Sequence, residues 1–172
     1  ETIHSVLGLD HIQKTITYDG RLIKVDAFPI GIDFHKFEAA FDKDEVVKQR
    51  TSLKDSFENR KIIFSVGKLN YTRGIFNRIK AFEYFLSASP EFKNKVVFLL
   101  VIVPSADDFG KYEEQKKMID EAISNINSTI GNISWQPIAY QYRSLSFDTS
   151  MALYTSADLA LITPLRDGMN LV

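Results

Sequence analysis

Ile62-Ile63-Phe64-Ser65-Val66-Gly67-Lys68-Leu69-Asn70-Tyr71-Thr72-Arg73-Gly74-Ile75 is the stretch on which the fold turns. A strand-length apolar run enters a polar loop closed by a glycine, and a helical pattern begins at once. From Ile75 the apolar residues Ile79, Phe82, Phe85 and Leu86 follow three-and-four spacing, as on the inner face of an amphipathic helix. The same grammar repeats downstream. Apolar runs at residues 96–103, 133–140 and 159–162 predict strands, with Trp135 as a core residue inside the second. Between them, Tyr112, Ile119, Ala122, Ile123 and Ile126 mark a helix, and residues 147–155 predict another, capped by Ser146 or Asp148. Strands alternate with helices, and near-continuous Val/Ile/Leu strands imply burial on both faces. The expected fold class is therefore α/β, with a doubly wound, mostly parallel sheet. Ligands in such sheets lie beyond the carboxyl ends of the strands. That rule points to residues 67–74, 104–110, 141–145 and 163–170.

The first sixty residues are less regular. Residues 22–28 read as a further strand, Pro29-Ile30-Gly31-Ile32-Asp33 as a turn, and residues 44–58 as a charged helix with Val46, Val47, Leu53 and Phe57 inward. After the last strand the sequence runs Asp167-Gly168-Met169-Asn170-Leu171-Val172, where a covering helix is expected next, so the domain reads as truncated at its C-terminal end.

Composition narrows the function classes. The 172 residues are 45% hydrophobic and 25% charged, ordinary values for a globular core. Lys+Arg 21 against Asp+Glu 22 leaves a net charge of −1, too little for a basic field that would hold a nucleic acid or an anionic membrane. Any anion site must be local. The absence of cysteine excludes disulfides and thiolate metal sites and suits a cytoplasmic protein. The most apolar run, residues 96–103, is far shorter than the ~20 residues needed to span a bilayer. His4, His11 and His35 have no metal-ligand spacing, and no serine sits in a nucleophile elbow.

Two loops carry the chemistry. Lys68 and Arg73 flank a helix start, where free N–H groups and the helix dipole favour an anion and the two cations add charge-assisted hydrogen bonds. Phosphate or diphosphate is the natural guest; the alternative is two solvated loop cations. Arg166-Asp167-Gly168-Met169-Asn170 has the same location, with a glycine that admits a close ligand and an aspartate able to accept from sugar hydroxyls. Here the alternative is an ordinary Asp-Gly turn.

With these loops in hand, the chain resembles the trehalose-6-phosphate synthases over nearly its whole length. Phe28-Pro29-Ile30-Gly31-Ile32-Asp33, Ala81-Phe82-Glu83 with Phe85-Leu86, Ser89-Pro90-Glu91, Lys95-Val96-Val97, Val103-Pro104-Ser105, Asn127, Gly131 and Pro137 follow in family order. The stretch from Arg166 to the final Leu171-Val172 matches almost letter for letter. The resemblance implies one Rossmann-like half of a retaining GT-B glycosyltransferase that moves glucose from UDP-glucose to glucose-6-phosphate, giving trehalose-6-phosphate, with no metal and no cofactor. It implies an interdomain segment and first strand over residues 1–34 and a nucleotide-sugar-binding domain over residues 35–172. Lys68 and Arg73 would meet the diphosphate, Asp167, Gly168, Met169, Asn170 and Leu171 the donor glucose and phosphates, and the backbone near Leu145 the uracil. Lys68, Arg73 and Asp167 are the expected catalytic set. An acceptor domain is expected N-terminal to this chain, and without it the isolated chain is expected to be inactive. Tyr140-Gln141-Tyr142-Arg143 and Thr163-Pro164-Leu165 resemble bifunctional members with a phosphatase domain downstream.

Three departures bear on activity. The family pattern Arg-x-Asp-Tyr-x-Lys-Gly is met by Lys68, Asn70, Tyr71, Arg73 and Gly74, so the cations are kept but exchanged in type. Asn70 replaces the family aspartate. Ala106 stands where the family places an arginine on the acceptor phosphate, a contact worth ~1.5–3 kcal/mol, about ten- to a hundredfold in binding. These departures motivate an alternative: a non-catalytic synthase-like module that scaffolds or regulates a trehalose-phosphatase.

Overall fold

The structure, a computed structural model, describes residues 2–104 and 112–172. The chain divides into two compact units, Glu1–Asp33 and Phe34–Val172. In the first, helix α1 (Thr2–Leu7) precedes three short antiparallel strands, β1 (His11–Ile12), β2 (Thr15–Tyr18) and β3 (Arg21–Lys24), in the order β1-β2-β3. Asp19 and Gly20 turn the β2–β3 hairpin with φ of 50° and 70°, the left-handed pair that a two-residue turn requires. The strand expected at residues 22–28 is thus shorter, and it belongs to this small sheet. Lys14 Nζ donates to Asp26 Oδ1 at 2.5 Å.

The second unit begins with α2 (Phe34–Ala40) and α3 (Asp44–Ser56). Strand and helix then alternate: β4 (Lys61–Lys68), α4 (Ile75–Ala88), β5 (Val96–Val103), α5 (Glu113–Thr129), β6 (Ile138–Tyr142), α6 (Phe147–Ser156) and β7 (Leu159–Ala160). All four strands are parallel, in the order β6-β5-β4-β7. The doubly wound parallel sheet read from the sequence is present.

Period-two alternation distributes the core over both faces. From β5, Phe98, Leu100 and Ile102 join Ile79 and Phe82 of α4 and Ile119 and Ile123 of α5, while Leu99 and Val101 turn the other way, to Leu153 of α6. The β5 side chains from Val96 to Ile102 are all buried, so that strand has no solvent face to mark with polar residues. Ser146 caps α6 through Oγ, which accepts from Thr149 N at 3.1 Å, satisfying one of the free N–H groups of the first turn.

One strand differs from its expected position. The pairing of β6 starts at Ile138, and residues 132–135 form a tight turn in which Asn132 N donates to Trp135 O at 2.9 Å and Asn132 Oδ1 accepts from Ser134 N at 3.0 Å. Trp135 is in the core, as expected, but in this turn rather than in a strand. Its indole N–H donates to Val96 O at 2.7 Å, which reconciles a polar group with full burial. The alternation of Ile133 and Trp135 imitates a strand; the Asn132 side chain and the missing N–H of Pro137 prevent one.

The topology also fixes where a site can form. From β4 through β5 to β6 the chain advances in one direction across the sheet, and α6 then returns it to the far side of β4, where Ile63 and Phe64 pair with Leu159 and Ala160. The winding reverses between β4 and β7. Their carboxyl ends diverge there and leave a crevice.

Candidate functional site

That crevice is a cleft of about 370 Å³, within the roughly 300–1,000 Å³ range of small-molecule sites. The end of β4 supplies Val66, Gly67 and Lys68, and α6 supplies Tyr154. Arg73 and Arg78 enter from the following turn and helix, and Asn170, Leu171 and Val172 close the far side. The two expected cations, Lys68 and Arg73, therefore share one cleft with Asn170 and Leu171, whereas Asp167, Gly168 and Met169 are not among its lining residues.

The 68–74 loop is built by local hydrogen bonds. Asn70 Oδ1 accepts from Thr72 N at 2.9 Å and from Thr72 Oγ1 at 3.0 Å, capping a single 3₁₀ turn, Tyr71–Arg73. Cap acceptance needs one side-chain oxygen, and the Asn70 amide supplies it. Gly74 follows with φ of 64°, and a β-carbon on it would lie 2.8 Å from Thr163 O. The glycine is required twice over, by its backbone conformation and by the closeness of the neighbouring loop.

That neighbour is the loop after β7. Thr72 O accepts from Leu165 N at 2.8 Å and from Arg166 N at 3.2 Å, so both loops share one carbonyl. Two residues further on, the Asp167 carboxylate takes a charged hydrogen bond from Arg73 Nη1, with the aspartate side chain 14% exposed and the arginine 37%. Its other oxygen accepts from Met169 N at 3.2 Å, and Asn170 Oδ1 accepts from Val172 N at 2.9 Å. The loop is thus folded by its own side chains. Gly168 has open space where a side chain would be, and Met169 is exposed.

The remaining expected residues are placed less directly. Leu145 packs its side chain against the Ile62, Phe64 and Leu153 cluster and is not among the residues lining the cleft. Ala106 lies outside the described residues. Among the described residues no group of three His, Asp or Glu is arranged to hold a metal, and no helix is long and apolar enough to cross a membrane.

Arg78 is a site residue that the sequence reading did not single out. It is 4% exposed, yet it reaches the cleft. Nη1 donates to Ser65 Oγ and to Leu161 O at 3.2 Å, and Nη2 donates to Arg73 O at 2.5 Å. These partners are all neutral oxygens. Burial, and then the positive charge of Arg73, lower its pKa. The signal was available: Arg78 falls on the apolar stripe of α4 between Ile75, Ile79 and Phe82, where a charge needs a structural reason.

The fold and this cleft define a Rossmann-like α/β domain with a cation-lined crevice at its topological switch point. Comparison with known proteins takes the next step. The family model for glycosyltransferase family 20 matches residues 1–172. The chain is 45% identical over 166 residues to a bifunctional trehalose-6-phosphate synthase/phosphatase from Thermoproteus tenax, covering 96% of this chain and 23% of that protein. A UDP-forming α,α-trehalose-phosphate synthase from Burkholderia xenovorans, solved with glucose-6-phosphate, superposes with a TM-score of 0.82 at 32% identity, covering 91% of this chain and 34% of that one. The N-terminal domain of the Candida albicans trehalose-6-phosphate phosphatase superposes with a TM-score of 0.78 at 32% identity, covering 98% and 36%. This chain belongs to glycosyltransferase family 20, the trehalose-phosphate synthase family. It spans about a third or less of the relatives it matches.

Proposed function

We infer that residues 35–172 are the donor half of a trehalose-6-phosphate synthase and hold UDP-glucose for transfer to glucose-6-phosphate. The observation that supports this most is the meeting of Lys68 and Arg73 with the Asn170 and Leu171 segment on one cleft at the switch point. Lys68 has no ion-pair partner among the described residues, and Arg73 has one. Among the described residues lining the cleft the charged side chains are Lys68, Arg73 and Arg78, and the Asp167 carboxylate pairs with Arg73 from outside that lining, so the cleft carries an excess of positive charge that a diphosphate would neutralise.

The chemistry asks for such a field. In the transfer, the bond between the anomeric carbon and the diphosphate oxygen breaks and its electron pair leaves with UDP. The acceptor hydroxyl oxygen bonds to the same carbon on the same face, and its proton passes to the departing phosphate oxygen. Cations fixed around that oxygen stabilise the developing charge more in the transition state than in the ground state. Asp167 and the neighbouring amides would hold the sugar, and the acceptor would come from a domain N-terminal to this chain, in the cytoplasm.

Incubating the complete protein with UDP-glucose and glucose-6-phosphate should release UDP and form trehalose-6-phosphate, and replacing either Lys68 or Arg73 by alanine should lower kcat/KM at least tenfold, about 1.4 kcal/mol. No product over a wide range of acceptors would overturn the reading. The likeness to the N-terminal domain of a phosphatase favours a second reading, a non-catalytic module that scaffolds or regulates a trehalose-phosphatase. UDP-glucose binding by the complete protein without turnover is the result that reading requires.

A further inference from the structure

Arg78 makes a set of contacts that the proposed transfer chemistry does not need and that simple packing would not select. Its guanidinium touches three separate pieces of the cleft: Ser65 inside β4, the Arg73 carbonyl at the end of the 3₁₀ turn, and the Leu161 carbonyl just beyond β7. A β-carbon at Gly67 would lie 3.8 Å from Nη2, so the group sits against the carboxyl end of β4. Five N–H donors in a planar fork let one side chain hold three diverging strands and loops; a lysine ammonium on a single stem cannot span them. Its cost is also visible. Nε is buried with no hydrogen-bond partner among the described residues, and no carboxylate is among the partners of the guanidinium.

A buried charge balanced only by neutral oxygens is retained for what it orients. We propose that Arg78 is a positioning residue that clasps β4, the Tyr71–Arg73 turn and the exit of β7, and so holds Arg73 facing the cleft. It acts through Arg73: the carbonyl that Nη2 grips belongs to the same residue whose guanidinium meets Asp167. The part of this concerning nucleotide affinity rests on the sugar-nucleotide reading of the cleft; the part concerning loop order does not.

The test uses the complete protein with Arg78→Lys, which keeps the charge and loses the fork, and Ser65→Ala, which removes one clasp contact and no charge. Calorimetry with UDP should give about a tenfold loss of affinity for Arg78→Lys and a smaller loss for Ser65→Ala. In an Arg73→Ala background the Arg78→Lys change should add less than about twofold, because the group it positions is gone. Hydrogen exchange, without any ligand, should show the amides of Arg73, Gly74, Leu165 and Arg166 exchanging at least tenfold faster in Arg78→Lys while those of α5 keep their rates. Equal losses of UDP affinity in both backgrounds, or unchanged exchange in the two loops, would overturn the proposal. Uniformly faster exchange, α5 included, would also overturn it, by making Arg78 a general stabiliser. Wild-type protein that binds no UDP would instead remove the sugar-nucleotide reading, and the exchange result alone would then decide the role of Arg78.

Discussion

Arg73 donates to the carboxylate of Asp167 across 94 residues of chain, and this ion pair joins the loop after β4 to the loop after β7. Each partner is also a residue expected to meet the ligand. The carboxylate thus pairs with the cation that a diphosphate would claim on the proposed reading, so that binding would exchange one anion for another.

Asp167→Asn separates the two parts of that exchange. A carboxylate a few ångströms from a bound diphosphate costs roughly 1 kcal/mol at the screening of a half-open site. Its removal should tighten UDP about three- to tenfold. The same change should narrow the preference for UDP-glucose over UDP, because the sugar loses its acceptor. Calorimetry with the two nucleotides reads both, and weaker UDP binding would mean that Asp167 chiefly holds Arg73 in place.

Gly74→Ala should damage both loops. The left-handed conformation at φ 64° costs a non-glycine residue ~1–2 kcal/mol, and the added carbon meets Thr163 O at 2.8 Å. A total loss above about 2 kcal/mol is expected in urea denaturation. Gly67→Ala is the contrasting case: its carbon would find only Arg78 Nη2 at an ordinary 3.8 Å, so stability should change by less than about 1 kcal/mol.

Trp135→Phe keeps the apolar bulk and deletes one donor. Val96 O then loses its 2.7 Å partner in a buried setting, which should destabilise the domain by about 1–3 kcal/mol. Urea denaturation monitored by far-UV circular dichroism measures it. No change would indicate that water reaches the vacated acceptor.

Asp158 sets an acid limit. Burial pushes its carboxyl up, but hydrogen bonds from Lys61 Nζ at 2.7 Å and Ile62 N at 2.9 Å, with the charges of Lys61 and Lys54, outweigh this and hold it below the ordinary 3.8. A carboxylate with a lowered folded-state pKa contributes stability that is complete above the unfolded value and is lost as pH falls through the folded one. The Asp158→Asn variant should thus be less stable at neutral pH by about 0.5–1 kcal/mol, a modest figure because the pair is open to solvent, and the difference should begin to shrink only as pH falls to about 4 and disappear below the lowered folded-state value. Thermal melts of both proteins from pH 7 to pH 3 provide the check.

Much of this architecture is legible in the residues. The apolar run at 96–103 declares its own burial on two faces, and the polar loop from Lys68 to Gly74 announces a strand-to-helix joint. The Asp19-Gly20 hairpin is missing from the sequence reading, because the strands that flank it alternate too weakly to advertise a turn there. The 132–135 turn is missing too, because Ile133 and Trp135 mimic a strand face while the deciding contact is long-range, from the indole to Val96. In the site, the choice of cations follows from local sequence. Their joining to Asp167 and the role of Arg78 depend on which strand returns beside β4, which only the assembled sheet determines.

The shared carbonyl of Thr72 has a mechanical meaning. With two amides from the opposite loop on one oxygen, neither loop can slide against the other without stripping both donors at once. The walls that carry Arg73 and Asp167 consequently behave as one stiff jaw, and on the proposed reading a change of donor sugar would fall to side chains on that jaw, since re-spacing its halves would unfasten it.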